Sequence, residues 1–252
     1  MELNNYHSLC AEYYDIDKPF APENELNFYM NYVKNSTGNI LEPMCGTGRF
    51  LLPILNVGFN IEGYDASSNM LHILKQKALN QGLTPNVWLQ LAEVPTKRAN
   101  YSLIFIPSGS FGLIVENKKI KLTLKNIYNQ LVAGGTFVFE VETLTAAPKQ
   151  LNTWLGDIRY RTDSSYILLN TLNLPPKNSI NSIVCKYELI IDNFIKKSEI
   201  EIINIKLYSV YEISSLLEEA GFIDINIYSD YNFNTELKNS DELIICECKK
   251  KN

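Results

Sequence analysis

The sequence has little of what metal sites, membrane spans and secretion require. It contains only two histidines, His7 and His72, and five cysteines, an odd number. Cys246 and Cys248 lie in an apolar run without a second pair of ligands, so we expect them to pack in the core rather than to bind zinc. No apolar run reaches the roughly 18 residues of a membrane span, and residues 1–5 lack the basic and apolar regions of a signal peptide. These absences predict reduced thiols and a cytoplasmic location.

Composition and charge are those of a folded globular chain. The 252 residues are 46% hydrophobic and 20% charged. This excludes disorder over the whole chain and predicts one large domain, or one domain with an insertion. The net charge is −5 at pH 7. Because an acidic surface repels phosphate backbones, long nucleic acids are disfavoured as partners, whereas the oligomeric state stays open.

The first part of the chain alternates short β-rich runs with helical segments. This rhythm predicts an α/β fold with a mostly parallel sheet covered on both faces. Strands are predicted at residues 38–42, 60–64, 86–91, 101–106 and 136–141. Helices are predicted over residues 50–57, after a cap at Ser67 or Ser68, and along a stripe of Ile120, Leu124, Ile127 and Leu131. Gly134-Gly135 is expected to end the last of these helices.

The pattern changes over residues 144–208. Four β-like runs follow one another there without a helix, which predicts an antiparallel β subdomain inserted into a core made of residues 1–143 and 209–252. The runs are 157–161, 166–174, 183–191 and 199–207, with a turn at Asp192-Asn193. A helix over residues 210–220 and strands at 223–228 and 243–248 are expected to complete the core.

The most informative segment runs from Ile40 to Phe50 and reads as strand, small-residue turn and helix. Gly46 and Gly48 allow a sharp turn and a close approach by a ligand. The following helix directs free N–H groups towards that ligand. The second strand ends at Asp65, 17 residues after Gly48, where a carboxylate can accept both hydroxyl protons of a ribose.

A dinucleotide site is the first alternative for this segment. Its fingerprint requires a third glycine at the position of Leu51, so close passage over a pyrophosphate is not provided for. Glu42 precedes the turn and could hold an ammonium group. A ligand with an amine and a carboxylate at one end and a ribose at the other therefore fits better than NAD, and S-adenosylmethionine has this constitution.

At these residues the chain resembles the class I S-adenosylmethionine-dependent methyltransferases, in particular small-molecule enzymes of the methyltransferase-domain-25 type. Residues 42–48 resemble their first motif and residues 63–71 their ribose motif. Three further segments match in order: Ala92-Glu93-Val94 at the adenine position, residues 131–137 before the fifth strand, and Ala220-Gly221-Phe222 before the sixth. The resemblance implies a Rossmann-like sheet of seven strands whose last strand is antiparallel, with the antiparallel β insertion after the fifth strand.

The resemblance also implies which residues bind S-adenosylmethionine. They are Tyr14, Glu42, Met44, Gly46, Gly48, Arg49, Asp65, Ala66, Met70, Ala92, Glu93, Val94 and Pro107. Two residues depart from the pattern. Met44 replaces the usual first glycine, so either the turn is relieved elsewhere or Met44 forms a wall of the methionine pocket. Pro53 cannot donate within a helix, so the helix should begin near Gly48 or be distorted in its first turns.

The layout is similar to that of sugar-amine and glycine or sarcosine N-methyltransferases. Residues 11–15 resemble their N-terminal segment that folds over the cofactor, and the insertion resembles their substrate-covering lid. Tyr14 and Glu140 are the candidate catalytic residues. Glu140 and Glu142 stand at the carboxyl end of the fifth strand, where ligands bind in open α/β sheets, and one of them could bind or deprotonate an amine.

The leading hypothesis is a metal-free, in-line methyl transfer to a small molecule, with nitrogen favoured over oxygen as the accepting atom. Residues 106–109, Ile-Pro-Ser-Gly, lack the N-P-P-Y motif of base-directed enzymes and the acid of metal-dependent catechol-type enzymes. Alternatives are a methyltransferase for nucleic acid or protein, and a protein that binds S-adenosylmethionine without catalysis. A nicotinamide oxidoreductase is least favoured because of Leu51.

Overall fold

A computed structural model describes residues 6–96, 98–232 and 235–252. The helices are α1 Ser8–Asp17, α2 Glu23–Asn35, α3 Leu51–Asn56, α4 Ser68–Asn80, α5 Asn117–Gln130 and α6 Val210–Ala220. The strands are β1 Asn39–Pro43, β2 Ile61–Asp65, β3 Asn86–Leu89, β4 Tyr101–Ile106, β5 Leu131–Glu142, β6 Trp154–Tyr160, β7 Tyr166–Asn173, β8 Ile180–Ile191, β9 Phe194–Lys206, β10 Phe222–Ser229 and β11 Leu243–Lys250. None of the helices in these ranges has the length and apolarity needed to cross a membrane.

The main sheet has seven strands in the order β10-β11-β5-β4-β1-β2-β3. The strands β1 to β5 pair in parallel, whereas β11 is antiparallel to both β5 and β10. This confirms the predicted α/β fold with an antiparallel last strand. The chain order reverses between β1 and β4, and such a switch point is where open α/β sheets bind ligands at the carboxyl ends of their strands.

The sheet is covered on both faces because its central strands are apolar on both sides. In β4, Ile104 and Ile106 pack into one apolar cluster with α5 and α6, and Leu103 and Phe105 pack into another with α2, α3 and α4. A strand buried on two faces needs a continuous apolar run instead of an alternating one. The run from Leu103 to Ile106 meets this requirement.

A second, antiparallel sheet has four strands in the order β6-β7-β8-β9. Asp192 and Asn193 join β8 to β9 with φ values of 52° and 64°, which is the left-handed turn that tight hairpins favour. A bridge between Thr143 and Tyr208 brings together the two ends of the segment that carries this sheet. The division into a core and an inserted subdomain at residues 144–208 stays a prediction.

Two elements differ from the sequence-based expectation. Helix α5 ends at Gln130, and β5 begins at Leu131, so Gly134-Gly135 lies inside a strand and does not end the helix. The pairing of β5 with β4 changes register between Leu131 and Thr136, and Gly134 has a φ of 71° within that irregularity. Helix α3 begins at Leu51, so Pro53 lies in its first turn, where no N–H donor is required.

Candidate functional site

A cavity of about 520 Å³ lies at the carboxyl ends of the parallel strands, between the main sheet and the antiparallel sheet. Residues after β1 and at the ends of β2 and β5 form its floor, and α1 with strands β7, β8 and β9 forms its cover. A groove of about 610 Å³ lies at the opposite end of the main sheet. Among the described residues, that groove is lined by no carboxyl or basic side chain, so the first cavity is the better candidate for chemistry.

The turn after β1 has left-handed backbone at three residues. The φ values are 58° at Met44, 52° at Gly46 and 80° at Gly48. For Met44 this conformation costs about 1–2 kcal/mol, and the same side chain lines the cavity. The turn is therefore not relieved elsewhere, and Met44 forms a wall of the cavity.

Asp65 ends β2 and organises the floor of the cavity. Its Oδ2 accepts the backbone N–H of Gly46, and its Oδ1 accepts that of Ser67, both at 2.8 Å. Burial raises the pKa of Asp65, and the N–H groups of Ser67, Gly46 and Ala66 oppose this rise. Each carboxylate oxygen keeps a second lone pair, so Asp65 can also accept hydroxyl groups of a ligand.

Glu42 lies at the end of β1, behind the cavity lining. It is 2% exposed, and its Oε2 has no hydrogen-bond partner in the described ranges. Burial and the charge of Asp65 raise its pKa, whereas Arg49 and the N–H of Leu51 lower it. A buried carboxylate oxygen without a donor costs free energy, so a cationic ligand group within reach would stabilise it.

Tyr14 and Arg49 form the wall where α1 meets the turn. Arg49 donates from Nη1 to the hydroxyl of Tyr14 at 3.0 Å and from Nε to the carbonyl of Phe20 at 3.1 Å. Both side chains line the cavity. These contacts hold the guanidinium at the cavity, where it can bind a carboxylate.

The remaining predicted residues divide between the lining and the layer behind it. Five line the cavity with Tyr14, Met44, Gly46 and Arg49, namely Asp65, Ala66, Met70, Ala92 and Glu93. The predicted residues outside this lining are Glu42, Gly48, Val94 and Pro107. The N–H of Val94 donates to the carbonyl of Leu91 at 3.1 Å. The assignment of the residues in both groups to ligand binding stays a prediction.

Glu140 and Glu142 lie on an adjoining cavity of about 470 Å³ that shares Asp17, Lys18, Arg49, Ser108, Gly109 and Glu142 with the first. Glu140 is fully buried and accepts the hydroxyls of Tyr29 at 2.6 Å and Tyr231 at 3.0 Å. Burial raises the pKa of Glu140 to about 7 despite these donors and the backbone N–H of Ser108. Glu140 can therefore exchange a proton near neutral pH.

We expect Glu140→Gln to become more stable relative to the wild type as the pH rises. The fold raises the pKa of Glu140 from 4.5 to about 7, so the folded chain binds this proton more tightly than the unfolded chain across that window. The free energy of unfolding of the wild type therefore falls by up to about 3 kcal/mol as the pH rises from 4.5 to about 7. Glutamine at position 140 does not titrate, so the variant lacks this dependence. Urea unfolding of both proteins at pH 5 and pH 8 measures the difference.

Glu247→Gln provides the matched control for that titration, because Glu247 also accepts two tyrosine hydroxyls, those of Tyr32 and Tyr228. The stability of this variant measures what the loss of two hydrogen bonds from tyrosine hydroxyls costs. If the stability of Glu140→Gln relative to the wild type is the same at both pH values, the raised pKa is wrong.

Sequence reasoning missed the way in which α1 is held over the cavity. Glu201 of β9 is 2% exposed and accepts the backbone N–H groups of Tyr6 at 2.7 Å and His7 at 2.6 Å. Glu199 accepts the N–H of Leu9 at 2.7 Å. These carboxylates satisfy donors that the start of a helix leaves free. Two glutamates two residues apart in a β-like run do not predict a contact with a helix start, because strands with a solvent-exposed face carry the same pattern.

Three residues of β6, namely Trp154, Arg159 and Tyr160, lie outside the cavity lining. Trp154 and Tyr160 are 53% and 68% exposed. Arg159 donates from Nε to Asp17 at 2.9 Å and so ties β6 to the end of α1. In the described ranges, no group of three or more His, Cys, Asp and Glu residues is arranged to hold a metal ion.

Comparison with known proteins gives a family match over the middle of the chain. Residues 40–135 match a family described as a methyltransferase domain. Over 112 residues the chain is 28% identical to a protein of Geobacillus sp. (strain WCH70) whose name marks it as a candidate methyltransferase, and the match covers 44% of this chain and 45% of that protein. The chain spans about half the length of the curated relatives it matches.

Solved structures share the fold over nearly the whole chain. A S-adenosylmethionine-dependent methyltransferase from Clostridium acetobutylicum ATCC 824 has a TM-score of 0.79 at 20% identity, over 96% of this chain and 98% of that one. A sugar N-methyltransferase from Streptoalloteichus sp ATCC 53650 has a TM-score of 0.73 at 14% identity, over 96% and 92% of the two chains. At these identities the likeness shows the fold.

Proposed function

We propose that this chain, whose residues 40–135 match a family described as a methyltransferase domain, transfers a methyl group from S-adenosylmethionine to a small molecule, at nitrogen rather than at oxygen. The observation that carries the proposal is the arrangement around the turn after β1. Asp65 lines the cavity at the end of β2, and Glu42, whose Oε2 lacks a hydrogen-bond donor in the described ranges, lies behind the lining at the end of β1. A ligand with hydroxyls at one end and an ammonium group at the other satisfies both.

The residues present fit S-adenosylmethionine on two further counts. A Cβ added at Gly46 would meet no atom within 4 Å, so the turn leaves open space for a ligand on this side. Arg49 can bind the carboxylate of the methionine moiety, and Glu42 its ammonium group. When bound, S-adenosylmethionine supplies a methyl carbon that its sulfonium already activates.

The chain itself then has to position the acceptor and exclude water, which can contribute several powers of ten to the rate. Tyr14 closes the wall beside Arg49, and the second sheet covers the cavity from above. Glu140 is the candidate acceptor of a proton from the amine, because its pKa of about 7 suits transfer at neutral pH.

The charges support an amine over an alcohol as the acceptor. The two joined cavities are lined by seven carboxyl side chains and three basic ones. The carboxyl groups belong to Asp17, Glu25, Asp65, Glu93, Glu116, Glu140 and Glu142, and the basic groups to Lys18, Arg49 and Lys119. An acidic enclosure attracts a cationic acceptor and repels a nucleic-acid backbone. The covered cavity also favours a small molecule over a protein.

Two measurements test the proposal. Calorimetry with S-adenosylhomocysteine should show one site per chain, and incubation with methyl-labelled S-adenosylmethionine should label small amines but neither RNA, DNA nor protein. Binding without labelling of any acceptor would favour the non-catalytic alternative. Absence of binding would overturn the proposal as a whole.

A further inference from the structure

We infer that the acceptor is an amine attached to an apolar aliphatic or aromatic body, as opposed to a polyhydroxylated amine. This inference rests on the proposed methyl transfer and concerns the part of the cavity that the second sheet covers. In that sheet the residues that line the cavity are Leu169, Ile183, Tyr187, Ile203 and Ile205. Among the described residues, the one polar side-chain group that β6 to β9 contribute to the lining is the hydroxyl of Tyr187, which hydrogen-bonds to Cys10.

The inner face of β9 explains why this cover is apolar. Glu199 and Glu201 occupy one half of that face, and both are engaged by the backbone at the start of α1. Ile203 and Ile205 occupy the other half, over the cavity. Ile203 pairs with Ile183 across β8 and β9, so the aliphatic surface continues onto the neighbouring strand. On this face of β9 the carboxylates are thus directed at α1 and the two isoleucines at the cavity.

Beside this cover, Leu113 and Ile114 line the cavity after β4. A hydroxyl-rich body placed against these surfaces would lose its hydrogen bonds to water and find few protein donors to replace them, which is unfavourable. An apolar body there gains free energy in proportion to the area it buries. The cavity therefore selects against a polyhydroxylated acceptor.

Glu142 supplies the counter-charge for the amine. It ends β5 and lines both cavities, so it stands where the covered part joins the acidic part. In the described ranges no hydrogen-bond donor or salt-bridge partner contacts its carboxylate. Burial and the charge of Glu242 raise its pKa, and Lys18 opposes this rise. An ammonium group held by Glu142 would leave the attached body beneath Ile203 and Ile205.

A series of acceptors tests the inference with methyl-labelled S-adenosylmethionine. We expect kcat/KM to rise about fourfold for each methylene from butylamine to octylamine. 2-Phenylethylamine should be methylated, and glucosamine should not. Glucosamine methylated as well as octylamine, or no transfer to any amine of the series, would overturn the inference. Calorimetry separately measures whether the protein binds S-adenosylhomocysteine, and so tests the proposed cofactor site independently of the acceptor.

Matched variants locate the binding surface without requiring turnover. Ile203→Thr should weaken octylamine binding to the protein saturated with S-adenosylhomocysteine at least fivefold, by calorimetry. Ile202→Thr should leave it unchanged, because Ile202 lies on the opposite face and is 52% exposed. Equal effects in the two variants would contradict a binding surface at Ile203.

Glu142→Gln should weaken the binding of octylamine at least tenfold, because the amide cannot neutralise the ammonium group. The control is Glu219→Gln, at an exposed glutamate that pairs with Lys121 at 2.6 Å and lies outside both cavity linings. Both variants should bind S-adenosylhomocysteine as the wild type does. If Glu142→Gln binds octylamine normally, Glu142 is not the counter-charge.

Discussion

Asp65→Asn is expected to weaken the binding of S-adenosylhomocysteine by about 100-fold. The carboxylate accepts N–H groups of Gly46 and Ser67 and still has lone pairs for two ribose hydroxyls. Asparagine keeps one acceptor oxygen and presents N–H donors in place of the other. The variant therefore loses charge-assisted hydrogen bonds to the ligand, each contributing about 1.5–3 kcal/mol.

Calorimetry on the folded variant measures this effect, with Glu62→Gln as the control. Glu62 lies on the same strand and accepts a hydrogen bond from the hydroxyl of Tyr101, outside the cavity lining. It undergoes the same change from carboxylate to amide, and we expect its affinity to match that of the wild type. If Asp65→Asn binds S-adenosylhomocysteine with unchanged affinity, the assignment of Asp65 to the ribose hydroxyls is wrong.

Gly48→Ala is expected to destabilise the fold by about 2–5 kcal/mol. The backbone has a φ of 80° there, and an added Cβ would lie 2.9 Å from Cγ of Leu74 and 3.0 Å from Cγ of Leu52. Conformational strain and overpacking therefore act together. The expected loss is a large part of the 5–15 kcal/mol that typically stabilises a domain, and urea unfolding measures it.

Gly46→Ala separates these two causes. Its φ of 52° carries the same kind of strain, but an added Cβ meets no atom within 4 Å. We expect a loss of about 1–2 kcal/mol together with weaker binding of S-adenosylhomocysteine, because the methyl group enters the space left for the ligand. Equal stability of the two variants would show that Gly48 is not constrained by packing.

Local patterns predicted the elements that depend on burial alone. The apolar run of β4 was predicted at its observed bounds, residues 101–106. A cap was also predicted at Ser67 or Ser68, and the side chain of Ser67 accepts the N–H of Met70 at 3.2 Å. Helix α6 spans the predicted residues and ends at Gly221, where φ is 97°. In each case the constraint lies within a few residues of chain.

Features that depend on distant contacts were not predictable. Helix α1 has no clear apolar stripe, and carboxylates almost 200 residues away on β9 hold its first turn. Glu140 was named as a candidate, but its environment depends on Tyr29 and Tyr231 from separate parts of the chain. For Gly134-Gly135, two glycines fit the end of a helix and a strand irregularity equally well, and only the pairing with β4 decides between them.

The attachment of α1 to β9 couples the binding of a ligand at Arg49 to the binding of a second molecule beneath the second sheet. Glu199 and Glu201 join the first turn of α1 to the second sheet, and Tyr14 on the same helix contacts Arg49. A molecule that immobilises Arg49 therefore restrains the helix and, through it, the sheet above. Each of two bound molecules should then raise the affinity for the other by the same factor, and amide hydrogen exchange in α1 should slow in step with both.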